Sequence, residues 1–330
     1  MTEVLITAPC SDEVKRRLRE FENSCVFSFG DRKSDIGDAE AVIGEPRTEK
    51  IRQAKSLKFI QMTWAGADIY TCDGAFPQGI RIATASGAFG GVISEYVVGA
   101  VLCLYRRFPE YIENQRSALW RDAGAERTLE GKTALILGTG DIGSNVAKRL
   151  SAFGTKNIGV RRMHRTQSRS LSPNIGVRRT GAPAQYFEEI HTLSNLDSLL
   201  PQADLIIGCL PNTKETGHIL DGKKFALMKS AALLINVGRG SLIDTPSLTR
   251  ALEEKRIAGA VLDVLEKEPL AADSPLWSMP NVLITPHISG RGFGHDPATE
   301  RKIWDICLEN LRRYLSGEDI INEIDFARGY

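Results

Sequence analysis

Three short segments carry side chains able to do chemistry together. The first is Asn236-Val237-Gly238-Arg239-Gly240, directly after the apolar run Leu233-Leu234-Ile235. An arginine flanked by glycines at a strand end is free to point into a cleft. There a guanidinium grips a carboxylate and polarises a neighbouring ketone. The second segment is Leu262-Asp263-Val264-Leu265-Glu266-Lys267-Glu268-Pro269, and the third is Thr285-Pro286-His287-Ile288-Ser289. Reducing a carbonyl takes a hydride and a proton, and histidine is the usual proton donor near neutral pH. A nearby carboxylate favours the imidazolium, and Glu268 is the partner expected for His287. A lone histidine after proline is more often structural than catalytic. Three such segments, each at a strand end, form a sharper signal, because strand carboxyl ends border the ligand crevice of open α/β sheets.

Gly138-Thr139-Gly140-Asp141-Ile142-Gly143 is a GxGxxG run. Alone it is weak. Here it follows the strand-like Ala134 to Leu137 and opens a helix over Ser144 to Phe153. The glycines allow the tight turn and let the backbone approach a pyrophosphate on the helix N-terminus. About twenty residues on, a carboxylate marks NAD. Arg161-Arg162 stands there instead, with Arg165, Ser168 and Arg169 close behind. Guanidinium groups suit an added phosphate, so NADP(H) is expected, with Arg161 the chief contact and NAD(H) still possible. The competing reading is a solvated basic loop. Asn157 to Arg162 recurs as Asn174 to Arg179, so the Arg178-Arg179 pair competes for the same role. That duplication is too short to be a repeat architecture.

The elements that position these groups follow a strand-helix rhythm. Strands are expected at Val4–Thr7, Ala41–Gly44, Phe59–Met62, Thr133–Leu137, Lys156–Val160, Leu205–Cys209, Ala232–Val237, Gly259–Val264 and Val282–Thr285. Several are apolar throughout, as parallel strands covered on both faces require. The alternation predicts doubly wound parallel sheets. Ser94 to Arg116 reads as one long helix, and Leu119 to Gly131 as a polar crossing into a second sheet. Arg301 to Leu315 reads as a last amphipathic helix returning to the first domain. Two domains are expected: residues 1–99 with 292–330 bind substrate, and residues 100–291 bind the dinucleotide.

The chain has 330 residues, 42% hydrophobic and 25% charged, with a formal net charge of +1. The length favours two domains. The charge gives no long-range pull toward nucleic acid or membrane. Cys10, Cys25, Cys72, Cys103, Cys209 and Cys307 are scattered without metal-ligand spacing, so free thiols and no metal site are expected. The N-terminus has no signal-peptide pattern and no apolar run nears the roughly 18 residues of a spanning helix, so a soluble, cytoplasmic protein is expected. His164, His191, His218 and His295 read as surface or structural. Trp277 reads equally as a border of the substrate pocket and as core packing, and Arg291 reads first as a surface residue, with a contact to substrate or the NADP phosphate as the alternative.

Taken in order, these motifs resemble the D-isomer-specific 2-hydroxyacid dehydrogenase family, which includes glyoxylate and hydroxypyruvate reductases and phosphoglycerate dehydrogenases. The resemblance runs from Thr63-Trp64-Ala65-Gly66-Ala67-Asp68 through Glu95, GTGDIG, Leu210-Pro211, Asn236 to Asp244, Leu262 to Leu270, Pro275-Leu276-Trp277 and Thr285 to Gly290, to the tail Asn310 to Tyr330. It implies that Arg239 binds and polarises substrate, that His287 is the acid and base, and that Glu268 hydrogen-bonds it. It also implies a substrate carboxylate on the amides of Ala65 and Gly66, with Trp64 or a nearby side chain shaping the pocket. Asp263 would face the nicotinamide amide, with Leu210, Pro211, Thr216, Val237, Gly238 and Gly290 lining the cofactor. The implied fold is two Rossmann-like domains with a hinged cleft, in a homodimer, acting on a small 2-oxo or 2-hydroxy acid. The alternatives are an NAD-dependent relative resembling formate or phosphite dehydrogenase, and a non-catalytic dinucleotide sensor. The arginines after Val160 count against the first. The presence of Arg239, Glu268 and His287 counts against the second.

Overall fold

A computed structural model describes residues 1–71, 76–77, 79–161 and 183–326. Its described residues divide into two compact units, one within 1–89 and 292–330 and the other within 90–291.

The first unit is a five-stranded sheet of order β2-β1-β3-β4-β5. Its strands are β1 (Thr2–Ile6), β2 (Cys25–Phe29), β3 (Ala41–Ile43), β4 (Phe59–Gln61) and β5 (Arg81–Ala83). All pairings are parallel, with Val4 beside Ala41 and Ile43 beside Gln61. The central strands are apolar on both faces because both faces are covered; Val4, Val42 and Ile60 are wholly buried. The helix Pro297–Ser316 packs here, capped by Asp296, whose carboxylate accepts the amides of Ala298 and Thr299. Its Tyr314 ring stacks on Phe59 with centroids 5.0 Å apart, and its phenol donates to Glu40 at 2.7 Å.

The second unit is a seven-stranded parallel sheet of order β12-β11-β10-β9-β6-β7-β8. Its strands are β6 (Thr133–Leu137), β7 (Lys156–Arg161), β8 (Glu189–Thr192), β9 (Leu205–Gly208), β10 (Leu233–Asn236), β11 (Gly259–Leu262) and β12 (Val282–Ile284). The chain leaves β6 for β7 and β8 on one side, then returns to place β9 on the other. That reversal puts the ligand crevice of such a sheet beside the ends of β6 and β9. Because all the strands run parallel, the segments after β6, β7, β9, β10, β11 and β12 emerge on one edge.

The helices that precede the second sheet and the unit boundary differ from the sequence expectation. The expected single helix over Ser94 to Arg116 is two helices, Gly90–Tyr105 and Phe108–Arg116. Arg107 adopts a left-handed backbone (φ +56°) between them, and Pro109 in the second helix's first turn has no amide to continue the first ladder. The unit boundary also falls before Gly90 rather than after residue 99. The Asp141 carboxylate accepts the Gly90 amide at 2.7 Å, and Glu95 pairs with Arg149 at 2.8 Å. The whole of Gly90–Tyr105 is thereby tied to the helix Asp141–Ser151.

Of the duplicated hexapeptide, Asn157 to Arg161 forms most of β7, and its Asn157 side chain donates to Ala147 O at 3.0 Å and Tyr186 O at 3.1 Å. Arg162 and the second copy, with Arg178 and Arg179, lie outside the described residues.

Candidate active site

The turn after β6 is built as a phosphate cradle must be. Gly138 has φ +113°, a conformation that favours glycine, and its amide donates to Val160 O at 2.7 Å. A Cβ at Gly143 would be driven into the Gly138 carbonyl, so the helix Asp141–Ser151 can pack this close only with glycine there. Gly140 caps that helix, and a Cβ built on it meets nothing within 4 Å. The open space therefore lies at the helix N-terminus, where backbone amides and the helix dipole attract an anion. Thr139 packs its methyl toward Gly159, and Ile142 lies half-buried in the first turn.

Arg161 ends β7, half-buried. Its Nε is shielded from solvent and has no hydrogen-bond partner among the described residues. A buried guanidinium nitrogen left unpaired is costly, and an acceptor supplied by a ligand relieves that cost. The glycine cradle fits a dinucleotide, and this donor fits an acceptor supplied by a ligand.

Beyond β9 the chain makes a turn through Leu210 and Pro211. Thr216, 3% exposed, closes that turn by donating its hydroxyl to Pro211 O at 2.7 Å while accepting the Thr213 amide at 2.9 Å. Its hydroxyl supports the turn from within. After β10, the buried Asn236 side chain donates to Arg239 O at 2.9 Å and accepts the Gly238 amide at 3.3 Å. This fixes Val237 to Arg239 as a tight turn against Leu210, whose backbone a Cβ at Gly238 would strike. Arg239 is half-buried, with Nη1 donating to Gly238 O at 2.8 Å.

The segments after β11 and β12 interlock. His287 Nδ1 lies 2.9 Å from Glu268 Oε2, and Glu268 Oε1 accepts the Leu265 amide at 3.0 Å. With the carboxylate accepting at both oxygens, Nδ1 carries the proton and Nε2 is left for a ligand. His287 has a left-handed backbone (φ +54°), held by its amide donating to Asp263 O at 2.9 Å and Thr285 O at 3.0 Å. Asp263 is 1% exposed. Its Oδ1 accepts the Thr285 hydroxyl at 2.6 Å and the Ile288 amide at 2.8 Å, and its Oδ2 accepts the Ser289 amide at 3.0 Å. The side chain expected at the nicotinamide thus also shapes the turn that carries His287. Gly290 follows that turn directly.

In the first unit, Trp64 is 39% exposed, with the Arg32 guanidinium 4.9 Å over its ring. The buried Glu45 accepts the amides of Thr63 at 2.6 Å and Trp64 at 3.1 Å. The amides of Ala65 and Gly66 donate to no described residue. Glu45 and the roles of Asp263 and Thr285 escaped the sequence reading, because each depends on contacts distant along the chain. Among the described residues no group of His, Cys, Asp and Glu is arranged to hold a metal ion, and no helix is long and apolar enough to cross a membrane.

Comparison with known proteins fits this geometry. The pattern of the D-isomer specific 2-hydroxyacid dehydrogenase, NAD binding domain, matches residues 98–289. The chain is 32% identical over 277 residues to a glyoxylate reductase of Thermofilum pendens, covering 82% of this chain and 75% of that one. A D-isomer specific 2-hydroxyacid dehydrogenase family structure from Aeromonas salmonicida aligns with a TM-score of 0.82 at 33% identity, over 98% of this chain and 99% of that one. A D-isomer specific 2-hydroxyacid dehydrogenase from Xanthobacter autotrophicus Py2, solved with NADPH and MES, aligns with a TM-score of 0.79 at 25% identity, over 100% of this chain and 99% of that one. With its paired parallel sheets, glycine cradle and histidine–glutamate pair, the chain belongs to the D-isomer specific 2-hydroxyacid dehydrogenases, a family of oxidoreductases that use a nicotinamide dinucleotide.

Proposed function

We propose that the protein is an NADP(H)-preferring reductase that interconverts a small 2-oxo acid and its D-2-hydroxy acid. The observation that carries this reading is the His287–Glu268 pair, held at 2.9 Å on the same sheet edge as Arg239. Bound at the glycine cradle, the dinucleotide supplies the hydride at its nicotinamide ring. Arg239 grips the substrate carboxylate and polarises the adjacent carbonyl. In reduction, imidazolium His287 gives the Nε2 proton to the carbonyl oxygen as the carbon accepts the hydride. The neutral ring keeps its other proton on Nδ1, toward Glu268. In oxidation Nε2 takes that proton back. Gly138 to Gly143 hold the pyrophosphate; Leu210, Pro211, Val237, Gly238 and Gly290 line the cofactor. In the first unit, the amides of Ala65 and Gly66 are the proposed carboxylate donors, with Trp64 beside them.

Preference for NADP(H) rests on the unpaired Arg161 Nε and on arginine standing where a carboxylate would accept the ribose hydroxyls. The NADPH bound to the Xanthobacter relative agrees with it. We also read the protein as a homodimer: Phe108, Ile112, Leu119 and Trp120 expose 51%, 48%, 49% and 105% of their surfaces within one short stretch, apolar side chains that a second copy would cover.

The test is oxidation of NADPH and NADH by the purified protein over a panel of 2-oxo acids. NADPH-driven turnover that His287→Ala abolishes supports the reading. Turnover with NADH alone overturns the phosphate preference. Turnover only of formate or phosphite replaces the substrate class, and cofactor binding without turnover points to a sensor.

A further inference from the structure

We propose that Tyr96 is a positioning residue for the catalytic turn: its phenol, acting through the Thr285 hydroxyl, fixes the Asp263 carboxylate that holds the two backbone amides following His287. The inference rests on His287 as the acid and base.

The chain of bonds lies wholly within the second unit. Tyr96 Oη and Thr285 Oγ1 are 2.6 Å apart, and Thr285 Oγ1 and Asp263 Oδ1 are also 2.6 Å apart. Asp263 is buried, and no cationic side chain among the described residues pairs with it. Among the described residues its charge is met by three donors: the Thr285 hydroxyl and the amides of Ile288 and Ser289. A carboxylate only accepts, so the Thr285 proton points at Asp263. The Thr285 oxygen must then accept, and the Tyr96 phenol donates. One direction runs through the chain, and each bond polarises the next. Burial pushes the Tyr96 phenol up to about 12, so it keeps the proton that this direction requires.

The consequence falls on His287. Its left-handed backbone is a strained conformation for a residue with a Cβ, and persists only where its surroundings impose it. Those surroundings are the Asp263 and Thr285 carbonyls on its own amide and the Asp263 carboxylate on the next two amides. Tyr96 stands on Gly90–Tyr105, which the Asp141 carboxylate ties to the first turn after the glycine cradle. The helix that abuts the dinucleotide loop thus also holds the turn that aims the histidine.

The experiment is steady-state reduction of a 2-oxo acid by Tyr96→Phe, Thr285→Val, Thr285→Ser and the double variant Tyr96→Phe/Thr285→Val, with dissociation constants for NADPH measured in parallel. Tyr96→Phe and Thr285→Val are each expected to lower kcat between about 10- and 100-fold by misplacing the acid. NADPH affinity should stay within about twofold, because the cradle glycines are untouched. Thr285→Ser should recover most of the loss. The double variant should match Thr285→Val alone, because both changes cut one chain. An unchanged kcat in Tyr96→Phe overturns the proposal. So do losses that multiply in the double variant, or equal losses in kcat and NADPH affinity. His287→Ala is run beside them: if it keeps turnover, the acid–base reading fails, whereas an inactive His287→Ala with a fully active Tyr96→Phe overturns only the role given to Tyr96.

Discussion

Asn310 Nδ2 donates to Gln61 Oε1 at 2.7 Å, joining the last helix to β4 across 249 residues of chain. Both side chains are fully buried, and Asn310 also donates to Ile321 O at 2.8 Å and accepts the Ile321 amide at 2.9 Å. Asn310→Leu leaves three buried groups without partners, each costing roughly 1–3 kcal/mol. The expected result is a loss on the order of 3 kcal/mol in the unfolding of the first unit, read from denaturant midpoints. Adding Gln61→Leu should return part of it, because the orphaned amide oxygen goes with it. A loss below about 1 kcal/mol would show that water satisfies these groups instead.

Glu268 meets His287 with one oxygen and the Leu265 amide with the other. Glu268→Gln preserves the shape but removes the charge and one acceptor. The expected effect is a fall in kcat of about 100-fold, the lower end for a displaced general acid, with NADPH affinity unchanged. Retention of more than half the wild-type kcat would mean that the imidazole is oriented by its backbone alone.

Arg161 is the residue proposed to set the choice of cofactor. Arg161→Ala should raise the KM for NADPH by about tenfold or more, as the loss of a charge-assisted hydrogen bond to phosphate implies, and leave that for NADH nearly unchanged. Added salt should weaken NADPH binding more in the wild type than in the variant. Equal effects on both cofactors would remove Arg161 from the phosphate site.

The central strands were legible because they are apolar on both faces, as at Leu233 to Ile235 and Leu135 to Leu137. The strands passed over were Cys25–Phe29, Arg81–Ala83 and Glu189–Thr192, and all three lie at sheet edges. An edge strand has a partner on one side only and keeps more polar residues, so its pattern is faint. The break at Arg107 had one local sign, Pro109, outweighed by the apolar run on either side. In the site, Arg239, Glu268 and His287 were legible because each follows a recognisable strand, and the glycines because a tight turn needs them. Tyr96 left no local trace: its partner Thr285 lies 189 residues away, and a tyrosine on an apolar helix ordinarily signals packing alone.

Glu45 supplies a prediction in pH. The residue is 5% exposed, and burial pushes its carboxyl pKa above the ordinary value of 4.5, although the hydrogen bonds from Thr63 and Trp64 pull it back part of the way. A carboxyl with a raised folded-state pKa binds more protons folded than unfolded, so stability falls as pH rises through the interval between the two values. Below about 4.5 both states are protonated and the penalty is absent; above the raised value it is fully present. Glu45→Gln removes this titration but keeps an oxygen to accept the Thr63 and Trp64 amides. Unfolding free energies of wild type and variant, measured from pH 4 to 8, should therefore diverge upward from about pH 4.5, with the wild type losing ground to the variant. Parallel curves would mean that the Thr63 and Trp64 hydrogen bonds fully offset the burial of the charge.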